Sequence, residues 1–235
     1  MNLFSVDGPL FKFMRTLLDV LIINVCWVIC SLPIITIGPA TVAAYSVTLR
    51  MIDETEGYVG RQFFREFKKN FKNGLPLGII FLIAMYSMYL DIQLLLTGIE
   101  PFIILSMTLI AGYVYMSLFL YCFALSARYE NSFIGTLKNS NRIFIRYFLR
   151  SMAIVLVVAV EIVIFTWQPV TLFLFALIGP ASIFLTVSGM ALPIFRLIER
   201  DEDVVETKKK NDDAVFEDHP DTDDITRKAH MNFKK

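Results

Sequence analysis

The chain has 235 residues, of which 56% are hydrophobic and 14% aromatic. Its mean hydropathy of +0.60 lies well above that of an ordinary water-soluble domain. Lys plus Arg and Asp plus Glu number 22 each, so the net charge gives no sign of a nucleic-acid partner. The sequence contains neither a GxxxxGK[ST] phosphate loop nor an HExxH zinc motif, and His219 and His230 both lie near the C-terminus. No cofactor, metal or enzymatic role is expected from this composition.

Neutrality hides two opposite regions. Residues 1–198 carry 14 basic and 10 acidic side chains, whereas residues 199–235 carry 8 and 12. The expected organisation is a basic transmembrane helical domain over 1–198 and an acidic tail over 199–235. That tail, with Lys208 to Lys210 among scattered Asp, has too few apolar residues for a core and reads as disordered. The expected fold is all-α, a polytopic transmembrane bundle of five strong spans plus a short or re-entrant helix, with interfacial amphipathic helices.

In chain order, Lys12 and Arg15 among Phe4, Leu10, Phe11, Phe13 and Met14 predict a short interfacial helix over 1–16. Residues 17–37 follow as the first span. A cleaved signal peptide is the competing reading, but the apolar run exceeds the ~7 to 15 residues of a signal core. Cys26 and Cys30 fall here and Cys122 in a later span; without metal-ligand spacing they read as buried thiols. Further spans are expected at 75–97, 102–126, 149–168 and 170–196, each near the ~20 apolar residues that cross a bilayer. Thr97 to Pro101 and Trp167 to Pro169 carry no Lys or Arg and close two tight hairpins.

The long connections are basic. Arg50 to Asn73 holds Arg50, Arg61, Arg65, Lys68, Lys69 and Lys72; Arg128 to Arg150 holds Arg128, Lys138, Arg142, Arg146 and Arg150. The positive-inside rule puts both, and the C-terminus, in the cytoplasm. Lys12 and Arg15 favour the same side, which requires a second crossing before Arg50. Residues 40–52 must supply it, yet thirteen helical residues reach only ~20 Å. Six membrane segments with both termini inside is the expectation; five with the N-terminus outside is the alternative.

Four features are candidates for function. Phe63, Phe64, Phe67 and Phe71 share a helix face, with Lys68 and Lys69 elsewhere, as in a membrane-surface anchor or partner-docking helix. Gly38 and Pro39 recur as Gly179 and Pro180 within matching six-residue segments, 37–42 and 178–183. Such pairs kink helices, and broken helices at matching positions can mark a transport site. Glu161 is the most costly side chain at mid-span and must be protonated, paired or facing a wet interior. Finally, Gly74 and Gly78 flank Pro76 in a GxxxG at the start of a span, suited to close helix contact, while Asn24 and Gln93 can hydrogen-bond between helices.

The run Ser31-Leu32-Pro33, Thr36-x-Gly38-Pro39-Ala40-Thr41-x-Ala43-Ala44-Tyr45, then Gly57-Tyr58, Phe63-Phe64, Phe67-Lys68-x-Asn70-Phe71 and Ala127-Arg128-Tyr129-Glu130, resembles the YesL family of bacterial membrane proteins over roughly residues 3–198. That family is defined by a domain of unknown function. The resemblance implies a bacterial cytoplasmic membrane and a setting of carbohydrate ABC transport, and it brings no established site residues. The functional expectation is an accessory to, or permease-like component of, such a transporter, with its subunits as partners beside the lipid bilayer. Residues 128–150 lack the Glu-Ala-Ala...Gly signature by which ABC permeases dock, although Gly135 is present. A membrane sensor or scaffold recruiting a cytoplasmic partner is the alternative, and an intramembrane enzyme resting on Glu161 is a third.

Overall fold

In the computed structural model, residues 9–53, 57–97, 101–130 and 132–217 are described, and they are helical almost throughout, with no strand among them. The helices are α1 (Pro9–Ser31), α2 (Ile37–Ile52), α3 (Val59–Lys69), α4 (Phe71–Leu96), α5 (Pro101–Ser117), α6 (Phe123–Arg128), α7 (Phe133–Arg146), α8 (Phe148–Thr166) and α9 (Pro169–Glu217). A 3-10 turn, Ile34–Thr36, precedes α2, and a π-helical turn, Leu118–Cys122, joins α5 to α6. The chain forms two compact units, residues 1–192 and 193–235. The described part of the second, 193–217, is entirely helical.

Among the described residues, six helical stretches are long and apolar enough to cross a membrane: Leu10–Ser31, Ile34–Ile52, Phe71–Leu94, Phe102–Arg128, Phe148–Thr166 and Pro169–Asp201. The all-α polytopic bundle is therefore as expected. Large apolar side chains face outward along these stretches, with Leu109, Leu156 and Phe173 each about two-thirds exposed. So much outward apolar surface suits a lipid solvent rather than water.

The N-terminal third departs from the expected boundaries. From Pro9 onward there is no separate interfacial helix, because Lys12 and Arg15 belong to the first turns of the spanning helix α1. Residues 1–8 lie outside the described part. The first span ends at Ser31 rather than at residue 37, since Pro33 lacks the N–H that would continue the ladder. The residues released join the second crossing. Three residues of 3-10 helix and sixteen of α-helix reach about 30 Å, enough for a full span rather than a thin one.

That second crossing is the centre of the first unit. All twelve residues from Gly38 to Leu49 are buried, and 67% of an apolar 18-residue window of the Ile34–Ile52 stretch is buried, against 11 to 28% of such windows in the other five. A helix buried on every side needs small residues, and α2 supplies Gly38, Ala40, Ala43, Ala44, Ser46, Thr41 and Thr48. Its closest neighbour is α4. A methyl built on Gly38 would lie 2.2 Å from the Gly74 carbonyl oxygen and 2.6 Å from Gly78 Cα, and one on Gly74 would lie 2.7 Å from Pro39 Cα. The GxxxG of α4 and the Gly-Pro of α2 are thus two sides of one backbone-to-backbone crossing.

At the other end of the chain, α9 runs through the start of the acidic tail to Glu217, where the sequence predicts disorder. Glu and Lys, frequent after residue 198, are good helix formers. The remainder of the predicted disordered tail, 218–235, lies outside the described residues.

The crossing yields a test. Gly38→Ala should lower stability by about 1 to 3 kcal/mol, because rigid backbone has to move apart. Gly112→Ala, where nothing lies within 4 Å of the added carbon, should leave stability unchanged or slightly raised. Thermal unfolding in one detergent checks both; equal effects of the two substitutions would contradict the close crossing.

Candidate functional site

Two groups of polar side chains stand out, one inside the bundle and one at its basic end. Inside, the two Gly-Pro segments prove equivalent in a way their spacing only hinted at. Each carries a hydroxyl at its fifth position, Thr41 and Ser182. Thr41 Oγ1 donates to the Ile37 carbonyl at 2.7 Å and accepts from Trp27 Nε1 of α1 at 3.2 Å. Ser182 Oγ bonds the Gly179 carbonyl at 2.8 Å and the Glu161 carboxyl of α8. Each segment therefore ties itself to the preceding span through one hydroxyl.

Glu161 is half-buried, and Ser182 is the partner that the cost of a mid-span carboxyl demands. The structure thus joins Glu161 to the segment containing Gly179 and Pro180. Gly38 and Pro39 lie instead at the start of α2, against Gly74 and Gly78. The expected break at Pro180 is absent as a break, for α9 is helical through it.

Continuity there has a side-chain cause. Pro180 has no N–H for the carbonyl of Ala176, one turn earlier. Asn24 of α1 replaces it, its Nδ2 donating to the Ala176 carbonyl at 2.9 Å and to the Leu177 carbonyl at 2.7 Å. Two acceptors fix the amide orientation, since only the NH2 can donate. At the π-helical turn, the hydroxyl of fully buried Tyr45 donates to the Phe119 carbonyl at 3.4 Å. Thr48 with Ser188 at 2.7 Å and Tyr121 with Ser151 at 2.8 Å complete a set of buried bonds between helices. Among the described residues, no group of three or more His, Cys, Asp or Glu is placed to hold a metal ion.

At the basic end, the amphipathic helix α3 lies differently from expectation. The buried stripe is Val59, Phe63, Glu66 and Asn70, at helical spacing. Phe63 is fully buried, Phe67 lies at the edge, and Phe64 and Phe71 are exposed at 46% and 37%. The four Phe thus divide between core and surface instead of entering the headgroups as one face. Sequence reasoning missed this because two of the four inward positions are polar.

Glu66 is the reason a polar residue can be inward. Only 4% exposed, its Oε1 meets Arg50 Nη2 of α2 at 2.9 Å and Arg65 Nε at 3.5 Å, while Asn70 Nδ2 approaches Oε2 at 3.4 Å. Two further pairs join the basic segments. Arg128 Nη1 bonds Asp53 Oδ2 at 3.2 Å, and Lys69 Nζ bonds Glu130 Oε1 at 2.7 Å. Lys69 holds the Glu130 carboxyl below its ordinary range, and Glu130 holds the ammonium above its own. This link is therefore complete across neutral pH; it is lost as pH falls through the lowered carboxylate range or rises through the raised ammonium range.

Together these pairs bring Arg50–Lys69 and Arg128–Glu130 to one end of the bundle, as their common charge predicted. The exposed surface of α3 there carries Arg61, Arg65, Lys68 and Lys69. Glu66→Gln should loosen α3 by about 1 to 2 kcal/mol, discounted because Arg50 retains solvent contact. Hydrogen exchange should then accelerate in residues 59–70 and nowhere in α8; uniform protection would refute the anchoring role of Glu66.

Comparison with known proteins adds one partial family match and no activity. No curated protein and no solved structure matches the chain. Residues 20–92, which run from α1 through the central α2 and the docked α3 into α4, match the family described as a protein of unknown function, DUF624.

Proposed function

We propose that this chain is an accessory component of carbohydrate transport of the ABC type, seated in a bacterial cytoplasmic membrane with its basic end and C-terminus in the cytoplasm. It acts by binding a partner there rather than by catalysis. The observation that carries the partner-binding half is the ion-paired end of the bundle. Glu66 with Arg50 and Glu130 with Lys69 hold α3 against the spans, and Asp53 with Arg128 ties the end of α2 to α6 beside it, so the outward cations of α3 form a preorganised surface. The carbohydrate half rests on the resemblance to the YesL family.

The alternative that the bundle itself carries a solute is less well supported. Its buried polar groups Thr41, Tyr45, Thr48, Tyr121 and Ser188 are engaged in bonds between helices or to carbonyls, and Asn24 gives its Nδ2 to two carbonyls, although its buried Oδ1 meets no donor among the described residues. Glu161 with Ser182 remains the position a transport reading would use.

Purification of the full chain from mild detergent, with loops and tail intact, tests the reading. Recovery of an ABC permease or its ATPase, lost on charge reversal of Arg61, Arg65 and Lys68, is the expected result. Recovery of the chain alone would count against an accessory role.

One feature favours a second reading, a sensor or scaffold. Beyond the Pro169–Asp201 stretch, α9 continues for sixteen residues to Glu217, about 24 Å of additional helix. Deletion of 201–235 separates the two functions. An accessory acting through α3 should support sugar uptake at wild-type rate after truncation, whereas a scaffold would lose its partner while uptake persisted.

A further inference from the structure

Lys138, Arg142, Arg146 and Arg150 recur at intervals of four, and no Asp or Glu occurs anywhere from 131 to 160. All four are exposed. On α7 the four-residue spacing sets Lys138, Arg142 and Arg146 side by side, which concentrates positive charge along one exposed line. The stripe follows α7, which is capped by Ser132 through the Gly135 N–H at 3.3 Å, and enters the first turn of α8. Near its end two of the charges converge. The guanidinium carbons of Arg146 and Arg150 lie 5.6 and 5.7 Å from the centroid of one ring, that of Tyr147, which steadies both in place.

The surroundings decide what anion fits. Ile134, Ile145, Phe148 and Leu149 border the stripe with 63, 61, 51 and 84% of their surface exposed. Phe148 begins a candidate span, so Arg146 and Arg150 fall at its end, where headgroups meet hydrocarbon. An acidic protein or a soluble polyanion would match the charges and leave the apolar border in water. A zwitterionic lipid would match the border and leave the row of cations under-compensated. A lipid with net negative charge satisfies both, its phosphate among the guanidiniums and its chains beside Phe148 and Leu149.

We propose that Lys138, Arg142, Arg146 and Arg150, with Tyr147, form a binding surface for anionic phospholipid headgroups. The surface lies on α7 and α8, apart from α3, and it stands whether or not the chain serves carbohydrate transport. Each cation near an anionic bilayer surface contributes on the order of a five-fold preference, so replacing three of them has a large effect.

The test uses the purified full chain in mild detergent, titrated with phosphatidylglycerol and phosphatidylcholine of identical acyl chains and read by native mass spectrometry. Wild type should bind phosphatidylglycerol at least about ten-fold more tightly. The variant R142Q/R146Q/R150Q should bind the two lipids within about two-fold of each other. R142K/R146K/R150K, which keeps the charge, should retain most of the preference and guards against simple misfolding. Equal binding of both lipids by wild type would overturn the proposal, as would a preference surviving in the Gln variant. Displacement of the lipid by millimolar inorganic phosphate or by poly-glutamate would also overturn it, marking the stripe as a site for a soluble anion or an acidic protein.

Discussion

Because no side chain separates α2 from α4 at Gly38, Gly74 and Gly78, the two backbones touch, and α1, α3 and α6 pack against the same central helix. In a bilayer the lipid tails are as apolar as the side chains, so burial of apolar area gives little reason for helices to associate. Close packing and buried hydrogen bonds remain, and both improve as backbones approach. The short α2, sheathed from Gly38 to Leu49, can hold α1, α3, α4 and α6 around itself because its surface is mostly Gly, Ala, Ser and Thr.

Such tight packing permits irregular backbone where another helix corrects it. Pro180 removes one donor from α9 and Asn24 supplies one from α1; within the π-helical turn the Phe119 carbonyl accepts from the hydroxyl of Tyr45. Each bond also fastens two distant parts of the chain, separated by 152 residues in one case and 74 in the other. Proline and a widened turn thereby become fixed points between helices. The hydroxyls of Thr41 and Ser182 do the same for the two Gly-Pro segments, and in the second case they accommodate Glu161.

The basic end obeys a different balance. Cations gathered at one end of a bundle repel, and that end is held together by three carboxylates placed among them, Asp53, Glu66 and Glu130. Glu66 is the most consequential because it is buried and because its partner Arg50 comes from the central helix. The ordering of α3 is thus coupled to α2, while the cations of α7 and the start of α8 lie on a stretch without carboxylates and face outward.

By itself the sequence determined the class of solvent, the helical fold, the hairpins at Thr97–Pro101 and Trp167–Pro169 and the gathering of the two basic segments, since these depend on composition and on charge counted along the chain. It also marked Gly74 and Gly78 as a close contact and Asn24 as a link between helices. Only the tertiary structure decided that Pro33 moves residues 34–37 from the first span to the second, making a full crossing of the turn and α2, and that Phe63 turns inward while Phe64 does not. The same holds for the pairing of Glu66 with Arg50 and of Glu161 with Ser182. The physical reason is common to all of these. Periodicity reports which side of a helix is apolar, but a polar side chain can face inward wherever a partner from another helix meets it, and that partner is defined by distance in space rather than by spacing in sequence.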